Sequence, residues 1–161
     1  MKTMLLTAEL DGRHGKGRIG SRIGLSADAF VFSNTTDMVA LVSDHRKQTA
    51  IDCVLVDEAQ FLTNNQVWQL AEIVDELNIP VMCYGLRTDF QGNMFPGSAR
   101  LLAIADNLRE IRTICHCGRK ATMVIRQDAA GTVIRDGAQV EIGGNEKYIS
   151  LCRSHWRAAM S

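Results

Sequence analysis

An apolar segment that ends in two adjacent carboxylates is the feature that most restricts the fold of this chain. Residues 51–56 are apolar except for Asp52, and Asp57 and Glu58 follow directly. A short apolar run of this kind predicts a strand buried in a parallel sheet. Such a strand delivers both carboxylates to one edge of the sheet, where one can bind Mg²⁺ and the other can accept a proton. The segment therefore predicts half of a phosphoryl-transfer site.

The other half of such a site is not found in the 161 residues. A phosphate-binding loop has the pattern G-x-x-x-x-G-K-[ST], but Gly15, Gly17 and Gly20 are followed by no Lys-Ser or Lys-Thr pair. Two interpretations stay open on the carboxylates alone: a magnesium and base pair, or a solvated Asp57 beside a turn capped by Glu58. A helicase motor, which the string D-E-A-Q also suggests, needs two recombinase-like domains and does not suit this length.

Strand and helix signals alternate through the first part of the chain, which predicts a parallel α/β sheet. Helical spacing of apolar residues predicts one helix over residues 37–48, with Thr36 as its N-cap. Thr63 and Gln66 predict a capping box for a second helix. Residues 11–28 are rich in glycine and basic residues and predict a flexible loop. The predicted strands lie at residues 4–8, 51–56 and 79–84.

The alternation of strand and helix signals stops near residues 107–114. Short segments of alternating apolar and polar residues, with paired Cys and His residues, follow it. We therefore predict two parts, an α/β core over residues 1–107 and a small subdomain over residues 108–161. Lys+Arg and Asp+Glu both number 18, and this zero net charge disfavours a nucleic acid polymer as partner. No apolar run approaches the roughly 20 residues of a membrane helix. We expect a cytoplasmic protein without a membrane partner.

Two pairs of metal-ligating residues lie in the second part of the chain. Four sulfur and nitrogen ligands suit a tetrahedral, structural Zn²⁺ site. The alternative is that the thiols are ordinary core or surface residues and the histidine is a surface residue. Cys53 and Cys83 lie in predicted strands and are expected to be small core residues. The four candidate zinc ligands are Cys115, Cys117, Cys152 and His155.

Three further groups of residues each have a functional and an ordinary interpretation. Arg13 can clamp a phosphate or lie in a solvated loop. The adjacent Gly143 and Gly144 let backbone approach a ligand closely, or they form a hairpin turn. The aromatic side chains can line a pocket for a planar ring, although core packing is the default. These aromatic residues are Phe61, Phe90 and Phe95.

Six motifs in this order resemble the zinc-containing (type II) thymidine kinases of the bacterial kind, and the resemblance covers nearly the whole chain. They are T-A-E-L-D-G-R at 7–13, S-R-I-G-L at 21–25, V-L-V-D-E-A-Q-F at 54–61, C-Y-G-L-R-T-D-F at 83–90, C-H-C-G-R-K at 115–120 and I-G-G-N-E-K-Y at 142–148.

The resemblance implies a recombinase-like P-loop core joined to a small C-terminal, zinc-bound "lasso" subdomain. It implies transfer of the ATP γ-phosphate to the 5′-hydroxyl of thymidine. Glu58 is then the catalytic base, and Asp57, Asp11 and Arg13 support Mg²⁺ and phosphate. The implied nucleotide-binding residues are Asp57, Glu58, Ala59 and Gln60. The implied nucleoside-binding residues are Phe61, Phe90, Phe95, Ile142, Gly143, Gly144, Asn145 and Tyr148. The implied zinc ligands are the two Cys/His pairs named above.

The resemblance also implies structural Zn²⁺, Mg²⁺ bound with ATP, and a homotetramer. Family members begin with a strand, a phosphate loop and a helix, so we expect the sequence to lack roughly thirty residues at its N-terminus, most of a βαβ unit. We expect very low or no kinase activity from the 161 residues alone. The alternative is a catalytically dead nucleoside-binding or subunit-interaction protein derived from that family.

Overall fold

A four-stranded parallel sheet forms the first of two compact units, which comprises residues 1–86 and 96–104. The computed structural model describes residues 1–12, 15–21, 23–140 and 148–161. The strand order is β4-β1-β5-β6, and each neighbouring pair is parallel. This confirms the predicted α/β class with a parallel sheet. The strands are β1 (Thr3–Ala8), β4 (Phe30–Phe32), β5 (Cys53–Val56) and β6 (Val81–Cys83).

Three helices and a short 3-10 turn accompany this sheet. The predicted capping box is confirmed, because the Thr63 side chain accepts from Gln66 N and the Gln66 side chain accepts from Thr63 N. The prediction of Thr36 as a cap is wrong: Asp37 caps the first helix by accepting from Ala40 N. These elements are α1 (Met38–Gln48), the 3-10 turn (Ala59–Phe61), α2 (Asn64–Leu77) and α3 (Pro96–Ile104).

The core of this unit lies on one face of the sheet. Met4 and Leu6 of β1 flank the half-buried Leu5, and they join α1 and α2 side chains in one buried cluster. Burying each such side chain contributes about 1.5–3 kcal/mol. The other face is less covered, since Leu5 and Leu55 are half-buried and Met82 is 43% exposed. Parallel sheets are normally covered on both faces.

A small hairpin corrects the prediction of an irregular loop over residues 11–28. Strands β2 (Arg18–Gly20) and β3 (Ser26–Asp28) pair antiparallel, and Gly24 turns the chain with a φ of 86°. Arg18 supports the pairing by donating to the Ser26 hydroxyl at 2.9 Å. Because these strands have only three residues each, with a single central apolar side chain (Ile19 and Ala27), local pattern does not reveal them.

The second compact unit comprises residues 87–95 and 105–161. An antiparallel sheet in the order β10-β9-β11 and a two-stranded β7-β8 hairpin make up its framework. Ile125 and Leu151 form its buried centre together with Cys115 and Cys152. The division at residues 107 and 108 stays a prediction. The elements are β7 (Thr113–Ile114), β8 (Lys120–Ala121), β9 (Met123–Gln127), β10 (Val133–Ile134), β11 (Tyr148–Leu151) and α4 (Arg153–Met160).

No helix within the described ranges has the length and apolar character to cross a membrane.

Candidate functional site

Three carboxylates gather where β1 and β5 end, and we call them the carboxylate cluster: Asp11, Asp57 and Glu58. One oxygen of each lies within 4.8 Å of the others. The grouping follows from topology, because β1 and β5 are parallel neighbours and their carboxyl ends meet at one edge. Three carboxylates so close repel one another unless a cation lies among them. Oxygen ligands of this kind suit Mg²⁺.

The backbone of Glu58 lies in the left-handed region, with a φ of 53° and a ψ of 38°. For a residue other than glycine this conformation costs on the order of 1–3 kcal/mol and tends to occur at functional sites. Asp57 stabilises it by accepting from Glu58 N at 3.0 Å. The Glu58 carboxylate accepts from Gln60 Nε2 at 2.5 Å. The strained turn therefore fixes the direction of a half-buried carboxylate.

Two glycines allow neighbouring backbone to approach this turn. A Cβ at Gly85 would lie 2.6 Å from Gln60 Oε1, and a Cβ at Gly97 would lie 2.5 Å from the Leu62 carbonyl oxygen. Ala59 N also donates to the Tyr84 carbonyl at 2.8 Å. Gly85 lies two residues after β6 and Gly97 is the second residue of α3, so no local sequence pattern identified either glycine.

Replacing Gly97 by alanine is expected to lower the free energy of unfolding by about 1–3 kcal/mol, the usual cost of overpacking. The new methyl group would meet backbone oxygens that cannot rotate away. Gly12→Ala is the matched control, since a Cβ there meets nothing within 4 Å. Urea denaturation of both variants measures the difference, and equal midpoints would contradict the role of Gly97.

The predicted zinc ligands form a second group, which we call the cysteine–histidine cluster: Cys115, Cys117, Cys152 and His155. One ligand atom of each lies within 4.8 Å of the others. Cys115 and Cys117 lie in the turn of the β7-β8 hairpin, which Gly118 closes with a φ of 80°. Cys152 is the N-cap of α4 and His155 lies in its first turn, so spacing of three residues places both on one side.

The distances in this cluster fit a tetrahedral zinc ion. Cys117 Sγ lies 3.9 Å from Cys152 Sγ, and His155 Nδ1 lies 3.4 Å from Cys115 Sγ and 3.5 Å from Cys152 Sγ. Tetrahedral Zn²⁺ with ordinary Zn–S and Zn–N bonds separates its ligand atoms by about 3.5–3.8 Å. The four residues therefore form a possible metal site whose donors and spacing are consistent with zinc.

The electrostatics of Cys115 favour the ligating thiolate. Burial opposes its ionisation, but hydrogen bonds from the backbone N–H groups of Cys117 and Cys152 and from neighbouring side chains lower the Cys115 pKa to about 5. His116, which carries no predicted role, stacks on His155 with ring centroids 4.3 Å apart. The stacking fixes the plane of the candidate ligand ring.

The aromatic candidates are divided between the two units. Phe61 ends the 3-10 turn of the first unit and is half-buried. Phe90 and Phe95 are buried in the second unit, and Tyr148 opens β11 there. Of the remaining candidates, Ala59 and Gln60 are buried beside the carboxylate cluster. Outside the described residues lie Arg13, Ile142, Gly143, Gly144 and Asn145.

A family model and several curated bacterial proteins that match this chain all carry the description thymidine kinase. A family model described as thymidine kinase matches residues 1–156. The thymidine kinase of Ruegeria pomeroyi is 62% identical over 159 residues, covering 99% of this chain and 80% of that protein. That of Jannaschia sp. is 59% identical over 160 residues, covering 99% and 82%. That of Agrobacterium fabrum is 62% identical over 156 residues, covering 97% and 81%.

Proposed function

Because this chain belongs to the thymidine kinase family, we propose that it serves the transfer of the ATP γ-phosphate to the 5′-hydroxyl of thymidine, a step of pyrimidine nucleoside salvage. The observation that carries the proposal is the carboxylate cluster beside the strained Glu58 turn. Phosphoryl transfer depends mainly on positioning and on charge stabilisation. A cluster of fixed carboxylates at a sheet edge suits both tasks.

Within that reaction, Glu58 acts as the base that accepts the proton of the 5′-hydroxyl. Its fixed carboxylate supports this role, since a base must be held within hydrogen-bond reach of the proton it removes. Asp57 and Asp11 hold Mg²⁺, which neutralises phosphate charge when bound, and Arg13 supports the phosphate. Ala59 and Gln60 complete the nucleotide-binding stretch that begins at Asp57.

The nucleoside pocket, in this proposal, combines aromatic walls with a backbone segment that reads the pyrimidine edge. Aromatic rings offer flat apolar surfaces for a planar base, and adjacent glycines permit close backbone approach. The proposed walls are Phe61, Phe90, Phe95 and Tyr148, and the proposed reading segment is Ile142, Gly143, Gly144 and Asn145.

The cysteine–histidine cluster is proposed to hold a structural Zn²⁺ that organises the lasso subdomain over residues 108–161. The support is the donor set and its spacing. Such a site needs reduced thiols, which fits the proposed cytoplasmic location. Self-association as a homotetramer is also proposed, and the exposed apolar residues Leu108, Ile111 and Ile114 offer surface for it.

Thiol labelling tests the zinc assignment. Iodoacetamide is expected to modify Cys115, Cys117 and Cys152 only after a chelator has removed the metal, because coordination protects the sulfur atoms. Cys53 is buried, and burial raises the pKa of the Cys83 thiol to about 12, so both should stay unlabelled under either condition. Peptide mass spectrometry measures the sites. Labelling of the three ligand thiols regardless of chelator would contradict the assignment.

Residues 1–161 contain no G-x-x-x-x-G-K-[ST] motif, so we propose that this polypeptide alone has very low or no kinase activity. Without the backbone N–H cradle and its lysine, little remains to hold the phosphate chain. Adding a strand–loop–helix segment that carries the motif before residue 1 should raise the activity; we call this protein the loop fusion. The alternative function, a dead nucleoside-binding or subunit-interaction protein, predicts no gain.

Calorimetry with residues 1–161 tests the nucleoside part of the proposal. Thymidine is expected to bind, and a purine nucleoside such as adenosine is expected to bind at least tenfold more weakly, a difference of about 1.4 kcal/mol. Absence of thymidine binding to a folded, zinc-containing protein would contradict the proposed nucleoside pocket.

A further inference from the structure

Phe90 is held from two directions by side chains of its own compact unit. Its ring is only 1% exposed, and the Arg126 guanidinium carbon lies 4.1 Å from the ring centroid. The backbone carbonyl of Phe90 accepts from Trp156 Nε1 at 3.0 Å. Arg126 lies on β9 and Trp156 on α4, so two separate elements fix one residue.

The segment around Phe90 is itself a closed turn. The buried Asp89 carboxylate accepts from Gln91 N at 2.9 Å, from Asn93 N at 2.8 Å and from Gln139 Nε2 at 3.0 Å. A Cβ built at Gly92 would lie 3.4 Å from the Trp156 ring. Trp156 thus donates to the Phe90 carbonyl of this turn and leaves no room beside Gly92 for a larger side chain. A shift of Trp156 would therefore disturb the turn at these two points.

Trp156 also follows directly after a member of the cysteine–histidine cluster. It lies in the first turn of α4, where its N–H donates to the Cys152 carbonyl at 2.9 Å. The helix has eight residues, and Cys152 provides no side-chain cap. Isolated helices this short are marginal in water. Trp156, Ala159 and Met160 pack on the buried centre of the unit, and Cys152 and His155 flank and enter the first turn of α4. Ligation of these two residues would therefore further restrain the position of that turn.

We propose that Trp156 is a positioning residue that transmits metal occupancy of the cysteine–histidine cluster to Phe90. With the metal bound, Cys152 and His155 fix the first turn of α4, and Trp156 then holds the Phe90 carbonyl and Gly92. Without the metal, the first turn of α4 loses this restraint, and the contact of Trp156 with the Phe90 carbonyl is weakened. The inference rests on the proposed function in one respect, since Phe90 is a proposed wall of the nucleoside pocket.

Tryptophan fluorescence tests the link without any nucleoside. The chain has two tryptophans, so Trp68→Phe leaves Trp156 as the only emitter. Removing zinc with a chelator is expected to move its emission maximum to longer wavelength, and adding zinc back should restore it. Trp156→Phe is the control, because its remaining Trp68 lies in the first unit and should not respond. The proposal would be overturned if the emission maximum of Trp156 stayed the same after metal removal, or if the protein took up no zinc.

Thymidine binding tests the consequence at Phe90. Trp156→Phe keeps an aromatic ring but removes the N–H donor, so thymidine should bind about two- to tenfold more weakly, as for one lost hydrogen bond. Zinc content should equal that of the parent protein, and Trp68→Phe should bind thymidine normally. Unchanged affinity in Trp156→Phe would overturn the positioning role. A parent protein that shifts its emission on chelation but binds no thymidine would instead support the link and contradict the proposed function.

Discussion

Glu58→Gln is expected to lower the rate of thymidine phosphorylation by the loop fusion about 10²- to 10⁴-fold, the usual contribution of a general base. Glutamine keeps the size and one acceptor oxygen of the side chain, so the contact with Gln60 Nε2 can persist. What it loses is the ability to accept a proton. The measurement is steady-state transfer of label from γ-labelled ATP to thymidine.

The control for this variant is Glu72→Gln, which changes an exposed glutamate on α2 of the same unit. Its rate should equal that of the parent fusion. Thymidine affinity should change little in either variant, which separates chemistry from binding. A Glu58→Gln fusion that turns over as fast as its parent would contradict the assignment of Glu58 as base.

Cys152→Ala is expected to unfold much of the second unit. Structural zinc contributes about 10–16 kcal/mol of apparent binding free energy in zinc-finger peptides at pH 7, and this energy is folding energy. The β10-β9-β11 sheet buries only a small apolar centre. Apolar burial alone therefore contributes little to the stability of the second unit. Limited proteolysis between residues 118 and 134, followed by mass spectrometry, should find rapid cleavage in the variant.

Cys53→Ala is the matched control, since Cys53 is also a buried cysteine but lies in the first unit. Cys53→Ala should lower the free energy of unfolding by about 1 kcal/mol, as for removal of one buried group. The zinc content should stay unchanged. Protease resistance in Cys152→Ala equal to that in Cys53→Ala would contradict a structural role for the metal.

Features that depend on local pattern could be predicted from the sequence. The strand before Asp57 follows from an apolar run, and the Thr63 and Gln66 capping box from residue types at fixed spacing. Choosing between adjacent capping residues was harder. Thr36 was predicted, but its hydroxyl accepts from Ser33 N at 2.9 Å, which leaves Asp37 to cap the helix.

Features that depend on tertiary contact could not be predicted. Strand β4 has three residues and exists because it pairs with the edge of β1, a contact that no local signal reports. Arg126 resembles an ordinary polar residue of an alternating strand, yet it is 3% exposed and packs on Phe90. The same contacts place residues 87–95 in the second compact unit, far from its other residues in sequence.

Candidate site residues were easier to identify than the geometry that positions them. Carboxylates and thiols carry recognisable chemistry, so Asp57, Glu58 and the four zinc-ligand candidates could be predicted from residue type, whereas Asp11 was implied only by the family resemblance. The left-handed turn at Glu58 and the close approach of Gly85 and Gly97 depend on neighbouring backbone. They became visible only in the structure, and they explain why the Glu58 carboxylate has a fixed direction.

The most direct test of the central claim is the transfer of γ-labelled phosphate from ATP to thymidine by two proteins, residues 1–161 and the loop fusion. The account predicts labelled thymidine 5′-monophosphate from the fusion and little or none from residues 1–161. A folded, zinc-containing fusion that binds thymidine and ATP but transfers no label would contradict the claim. Transfer by residues 1–161 at a rate that Glu58→Gln abolishes would contradict the need for the phosphate loop.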